Sequence, residues 1–176
     1  NAFDRSPAEL LRVKGSKWGL PEGSLLQLSY GMGRAFLVLE DQLDGVHQGA
    51  MVPLPIAQFA TGVMRGRFLM PTAMKVVAGG LQLTFGAELD PELAEDLDSY
   101  SVKTWSLRRT KNYGSKHYDE QALQVQMAEL GADGKTVRLH IADLVPTMCI
   151  AITCDLEAAG GAVLRAKIHG TLHKTR

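Results

Sequence analysis

The residue pairs most able to do chemistry lie near the C-terminus. His169 and His173 are four apart, and on a helix they would share a face and could hold one metal ion. Gly170 and Thr171 between them give a strand-like context instead. There the two rings share a face but lie roughly 13 Å apart, too wide for one zinc with ligands near 2 Å. Cys149 and Cys154 are five apart, an odd spacing that points them to opposite faces of a strand. Their Cα atoms would be roughly 16 Å apart, beyond disulfide reach. Two free, buried, apolar thiols are expected. The chain has no Cys-x-x-Cys-His run, so no haem is attached covalently here.

Gly134-Lys135-Thr136 invites a phosphate-loop reading, but that motif needs a glycine five positions before Gly134, where Glu129 stands. Gly31-Met32-Gly33 lacks the third glycine and the following helix of a dinucleotide fingerprint, so it reads as a hairpin turn. Ser, His and Asp all occur, yet there is no Gly-x-Ser-x-Gly elbow. No catalytic residue is assigned.

Charge is balanced overall and uneven locally. The 176 residues carry 19 Lys plus Arg and 19 Asp plus Glu, which argues against a general nucleic-acid or anionic-membrane binder. No apolar run is long enough to span a bilayer as a helix. Residues 88–98 hold six acids and no base, and residues 103–117 hold five bases and no acid. Two readings stand. The segments neutralise one another across neighbouring strands, or Trp105, Arg108, Arg109, Tyr113 and His117 form a ligand patch for anions or sugars.

The elements that must position these residues are strands. Ser6-Pro7-Ala8-Glu9 fits a capping box, predicting a short helix over 7–13. Leu26, Leu28 and Tyr30 alternate, Ala35–Leu39 is an apolar run, and 45–54 and 62–69 are further strand candidates. Leu81, Leu83 and Phe85 alternate with polar residues, and Asp90-Pro91 opens an acidic turn or helix reaching Asp98. Strands follow over 102–108, at Leu123, Val125 and Met127, and at Val137, Leu139 and Ile141. Gly131-Ala132-Asp133-Gly134 turns between the last two. Ile150, Ile152, Cys154 and Leu156 alternate, and Gly160-Gly161 turns into a final strand ending near Leu172. Short strands separated by turn signals predict an all-β sandwich, with a boundary near 70–74. The opening Asn1-Ala2-Phe3-Asp4 reads as mid-domain sequence, so a piece of a longer protein is expected.

Three stretches carry a resemblance. They are Trp18 to Gly31 with Asp44 to Gly49 and Met64 to Phe68; Trp105 to His117, containing Tyr113-Gly114-Ser115-Lys116-His117; and Asp143 to Cys149 with Ile168 to His173. Together they resemble the C-terminal part of large secreted proteins of planctomycetes and related bacteria. Those proteins carry a β-propeller similar to quinoprotein glucose or sorbosone dehydrogenases, often with a c-type cytochrome module. The resemblance implies partial propeller-blade strands over 1–70 and an Ig-like β-sandwich over 71–176. It implies a periplasmic or cell-surface location, and the remainder of the propeller as a partner. Pyrroloquinoline quinone, calcium or haem would belong to the parent protein, with no cofactor in this chain. The family continues the blade beyond its Arg-Gly-Arg-Phe, whereas here Phe68 runs within a few residues into the sandwich. The expected function is a non-catalytic C-terminal portion that packs on the propeller and contacts carbohydrate through Arg65, Arg67, Arg108, Arg109, Tyr113 and His117. Alternatives are part of a working quinoprotein sugar site and a structural adhesion-type module. No nucleic acid and no membrane insertion are expected.

Overall fold

Alternating burial along the chain builds two antiparallel sheets with an apolar layer between them. A computed structural model of the protein describes residues 7–15, 20–29, 33–54, 69–111 and 115–176. The strands are β1 (Pro7–Arg12), β2 (Leu25–Ser29), β3 (Arg34–Leu43), β4 (Val46–Pro53), β5 (Pro71–Val77) and β6 (Gly80–Phe85). A short helix, α1 (Pro91–Glu95), precedes β7 (Tyr100–Leu107), β8 (His117–Leu123), β9 (Val125–Leu130), β10 (Thr136–Ile141), β11 (Thr147–Glu157) and β12 (Val163–Leu172). The larger sheet has eight strands in the order β1-β2-β3-β4-β12-β11-β7-β8, and the smaller has four in the order β5-β6-β10-β9. The all-β expectation holds.

The core is what the period-two pattern dictates. Leu81, Leu83 and Phe85 of β6 and Val137, Leu139 and Ile141 of β10 are buried. Facing them are Leu37 and Leu39 of β3, Ala50 and Val52 of β4, and Ile150, Ile152, Cys154 and Leu156 of β11. Asp90 caps α1, its carboxylate accepting from the Leu93 N–H at 3.1 Å, with Pro91 at the start of the helix. The chain then passes through a 3₁₀ turn, and the Tyr100 hydroxyl donates to the Ala94 carbonyl at 2.7 Å, tying the start of β7 back to α1.

Three local expectations change. Residues 7–12 form a strand rather than a helix: a single turn of helix is weak alone, and pairing with β2 supplies the hydrogen bonds instead. The run through Leu123, Val125 and Met127 is not one strand. The chain leaves the large sheet after Leu123 and enters the small one at Val125. A register shift near His140–Ile141 then buries Ala128 and leaves Met127 exposed. In β2, Leu26 is buried but Leu28 is exposed. Tyr30 and 62–68 lie outside the described residues, as do Gly31 and Met32 of the expected turn, although β2 and β3 do pair on either side of it.

Strands from both sides of residues 70–71 share the large sheet. β4 pairs with β12 through Gly49↔Thr171, Ala50↔Gly170 and Met51↔His169. A side chain at Gly170 would place its Cβ 2.6 Å from the Gly49 carbonyl oxygen and 2.7 Å from the Ala50 Cβ, so this crossing requires glycine. A polar clasp closes one end of the seam. The buried Gln48 accepts at Oε1 from the N–H groups of His173 (2.9 Å) and Lys174 (3.0 Å), and its Nε2 donates to Asp41 Oδ2 at 3.0 Å. The same Asp41 oxygen accepts from the Val76 N–H of β5 at 3.1 Å.

The clasp has a measurable value. Gln48→Met keeps the bulk but strands two backbone donors, so the urea midpoint should fall by an amount equivalent to about 1–3 kcal/mol. An unchanged midpoint would mean water takes over those donors.

The expected turn at Asp133-Gly134 is present between β9 and β10. Gly134 sits at φ +65°, and the Asp133 carboxylate accepts from the Lys135 and Thr136 N–H groups, both at 2.9 Å, and from the Thr136 hydroxyl at 2.7 Å. These bonds, that from Lys135 foremost, hold the Asp133 carboxyl below the usual carboxylate range. Gly134→Val should cost about 1 kcal/mol or more, because a β-branched residue is strained in the left-handed region; equilibrium unfolding measures it.

Candidate functional site

The segment after β7 carries the expected basic patch, and the geometry sorts its members. Arg65, Arg67 and Tyr113 lie outside the described residues. Arg108 and Arg109 are exposed just past β7, and His117 begins β8. The Arg108 guanidinium lies over the Tyr118 ring, 4.5 Å from its centroid, and 4.0 Å from Asp119 Oδ2.

Trp105 is not an open platform. It is only 9% exposed on the outer face of the large sheet. The His117 ring stacks on it at 4.4 Å with planes 16° apart, and His169 of β12 meets it edge-on at 5.9 Å. Of the patch, the fold thus joins His117 to Trp105 directly, while Arg108 turns to Tyr118 and Asp119.

Among the described residues, the ion pairs of Lys103, Arg108 and His117 run to β8 rather than to 88–98. Lys103 Nζ pairs with Glu120 Oε1 at 3.2 Å and His117 Nδ1 with Glu120 Oε2 at 3.0 Å. The partners of Lys103, Arg108 and His117 are therefore Asp119 and Glu120 of β8. The pairing of β7 with β8 brings these groups together: Lys103 lies across from Ala122, two residues from Glu120, and the register shift beside Ser106 falls at Asp119 and Glu120. Hydrogen bonds from His117 and Lys103 hold the Glu120 carboxyl below the usual range.

A cleft of about 260 Å³ opens beside this cluster, between the β7–β8 pair and the chain linking β10 to β11. Trp105, Leu123, Val145, Pro146 and Met148 supply its apolar lining, and Thr104, Ser106, Asp119, Gln121, Asp143 and Thr147 its polar lining. Val145 and Met148 are 61% and 52% exposed. Met148 is held at the rim, its Sδ accepting from the Leu107 N–H at 3.2 Å. Asp119 Oδ2 accepts from the Ser106 hydroxyl at 2.9 Å. Asp119 and Asp143 sit at φ +54° and +57°, a left-handed backbone that Asp tolerates better than most residues. At Asp119 it accompanies the register shift between β7 and β8. Sequence reading missed Asp119, Gln121, Asp143, Val145 and Met148. Nothing in strand periodicity marks a bulge, and 143–148 is a loop whose position comes from tertiary packing.

Both cysteines are free as expected, but only Cys154 is buried, where two buried thiols were expected. Cys149 and Cys154 are both free, on opposite faces of β11. Burial raises both thiols, that of Cys154 to about 12. His169 lies within β12 and His173 beyond its end. Among the described residues no group of three or more His, Cys, Asp or Glu side chains is arranged to hold a metal ion. No helix among them is long and apolar enough to cross a membrane.

The fold and cleft define an all-β, two-sheet protein with one sheet extended by four N-terminal strands. Comparison of the chain with family models, with curated proteins and with solved structures finds no match in any of the three.

The Trp105 cluster has a pH signature. Burial first, then Lys167 and His117, push His169 down to about 4 from an ordinary 6.5. The unfolded chain therefore binds that proton more readily than the fold does. The stability it contributes is complete above pH 6.5 and is lost as pH falls toward 4. Urea midpoints at several pH values across this window should decline in the native chain and flatten in His169→Gln. An equal slope in both would remove His169 as the cause.

Proposed function

We propose that this chain is the non-catalytic C-terminal portion of a periplasmic or cell-surface, dehydrogenase-like propeller protein, packing on the propeller and contacting carbohydrate through the cleft between β7–β8 and the β10–β11 link. The cleft carries the reading. Its hydroxyl, amide and carboxylate groups stand beside an indole and two exposed apolar side chains, the mixture that suits a ligand with hydroxyl edges and weakly polar faces.

Strand order supports the Ig-like half. With β5 to β12 lettered A, B, C, C′, D, E, F and G, the two sheets read A-B-E-D and G-F-C-C′, the arrangement of immunoglobulin-type sandwiches. The Tyr100 hydroxyl bond to the Ala94 carbonyl is similar in kind to the corner bond of that class, although it falls before strand C. The four-stranded antiparallel run β1-β2-β3-β4 has the up-and-down order of a propeller blade. Its outermost strands expose Leu10, Leu11 and Leu28, apolar surface suited to contact with the rest of a larger protein.

A quinoprotein site draws on several blades around a central cavity, and one four-stranded run supplies one blade. Dye-linked oxidation of glucose or sorbosone by the purified chain, with added pyrroloquinoline quinone and calcium, should not exceed the protein-free control. Calorimetric titration with neutral oligosaccharides should give dissociation constants on the order of 0.1–1 mM, weakened several-fold in Gln121→Ala. Steady turnover would replace this reading with the enzymatic one, and absence of any saccharide binding would remove the carbohydrate role.

A further inference from the structure

Taken alone, the bases of 103–117 suit an acidic ligand. The geometry points to the opposite preference: we infer that the cleft favours amine-bearing sugars, of the glucosamine type, over neutral sugars and excludes uronates. This inference rests on the carbohydrate reading above and specifies its ligand.

Among the described residues, the charge lining the cleft has one sign. Asp119 and Asp143 are the ionisable side chains there, and none of those lining residues is Lys, Arg or His. Three of the neighbouring basic side chains have partners of their own. Lys103 is paired with Glu120 and Arg108 lies over Tyr118. His117 is stacked on Trp105 and paired with Glu120. Arg108 approaches Asp119 only at 4.0 Å, with both side chains well exposed, so it leaves that carboxylate weakly compensated. Ser106 donates to one Asp119 oxygen, fixing the carboxylate's direction without neutralising it. An ammonium group entering here meets two carboxylates across a partly enclosed, partly apolar cleft, and a carboxylate on the ligand meets like charge from both. The remaining lining groups, the Thr104 and Thr147 hydroxyls and the Gln121 amide, serve ring hydroxyls, which a glucosamine unit shares with a neutral sugar.

The test compares triglucosamine, its N-acetylated counterpart and a trigalacturonate on the full chain by calorimetry. At low salt triglucosamine should bind about 3–10-fold tighter than the acetylated probe, the yield of one or two exposed charge pairs. The gap should close at high salt as screening shortens. The uronate should show no heat of binding. Asp119→Asn and Asp143→Asn should each narrow the gap. Asn tolerates the left-handed backbone at both sites, and unchanged unfolding midpoints confirm that the fold survives. Equal affinity for the two glucosamine probes, or a gap that neither substitution narrows, overturns the amine preference and leaves the carbohydrate reading standing. Uronate binding tighter than triglucosamine overturns it in favour of the basic patch. No binding of any probe overturns both.

Discussion

Everything in this molecule hangs on the pairing of β4 with β12. Without it, the first four strands would be a small antiparallel ribbon with one face uncovered, and the later eight a separate sandwich. The join depends on close backbone approach at Gly170, where a Cβ would crowd the Gly49 carbonyl oxygen and the Ala50 methyl group. It depends also on Gln48, whose side chain does what a further pair of ladder bonds would do after β12 ends. Once the ladder is continuous, the inner faces of β3 and β4 extend the layer formed by β11 and β12, and β5 packs across β3.

The candidate site is a by-product of the other end of the same sheet. The β7–β8 register shift, taken up at Asp119, turns one carboxylate toward the cleft, while Glu120 faces outward with Lys103 and His117. Two neighbouring acids thus have different surroundings and different roles. One organises the outer cluster around Trp105, and the other, held by Ser106, lines the cleft.

Much of the fold was legible in the sequence. Leu81-x-Leu83-x-Phe85, Val137-x-Leu139-x-Ile141 and Ile150-x-Ile152-x-Cys154-x-Leu156 each gave a buried face, and Asp133-Gly134 gave a turn. Asp44-Gly45, with φ +49° and +80°, closes the β3–β4 hairpin by the same chemistry and could have been read equally well. The capping-box pattern at Ser6 misled, because a local motif competes with strand pairing that only tertiary structure supplies. The switch of sheets at Gln124 was invisible, since period-two alternation continues through it. The site was less legible still. Arg108 and His117 were found as residue types, but which acids face them is set by register. The loop from Asp143 to Thr147 reaches the cleft by packing alone.

The clasp at Gln48 has a mechanical meaning. Lys174 is held by its backbone to Gln48 and by its ammonium group to Asp44 at 2.8 Å. Tension applied beyond Lys174 meets these contacts before it reaches the end of β12. It is carried into the β3–β4 hairpin and along the ladder, loading several hydrogen bonds in shear together. The segment after β12 is thereby an anchor point, where a pull on the polypeptide is shared between two strands.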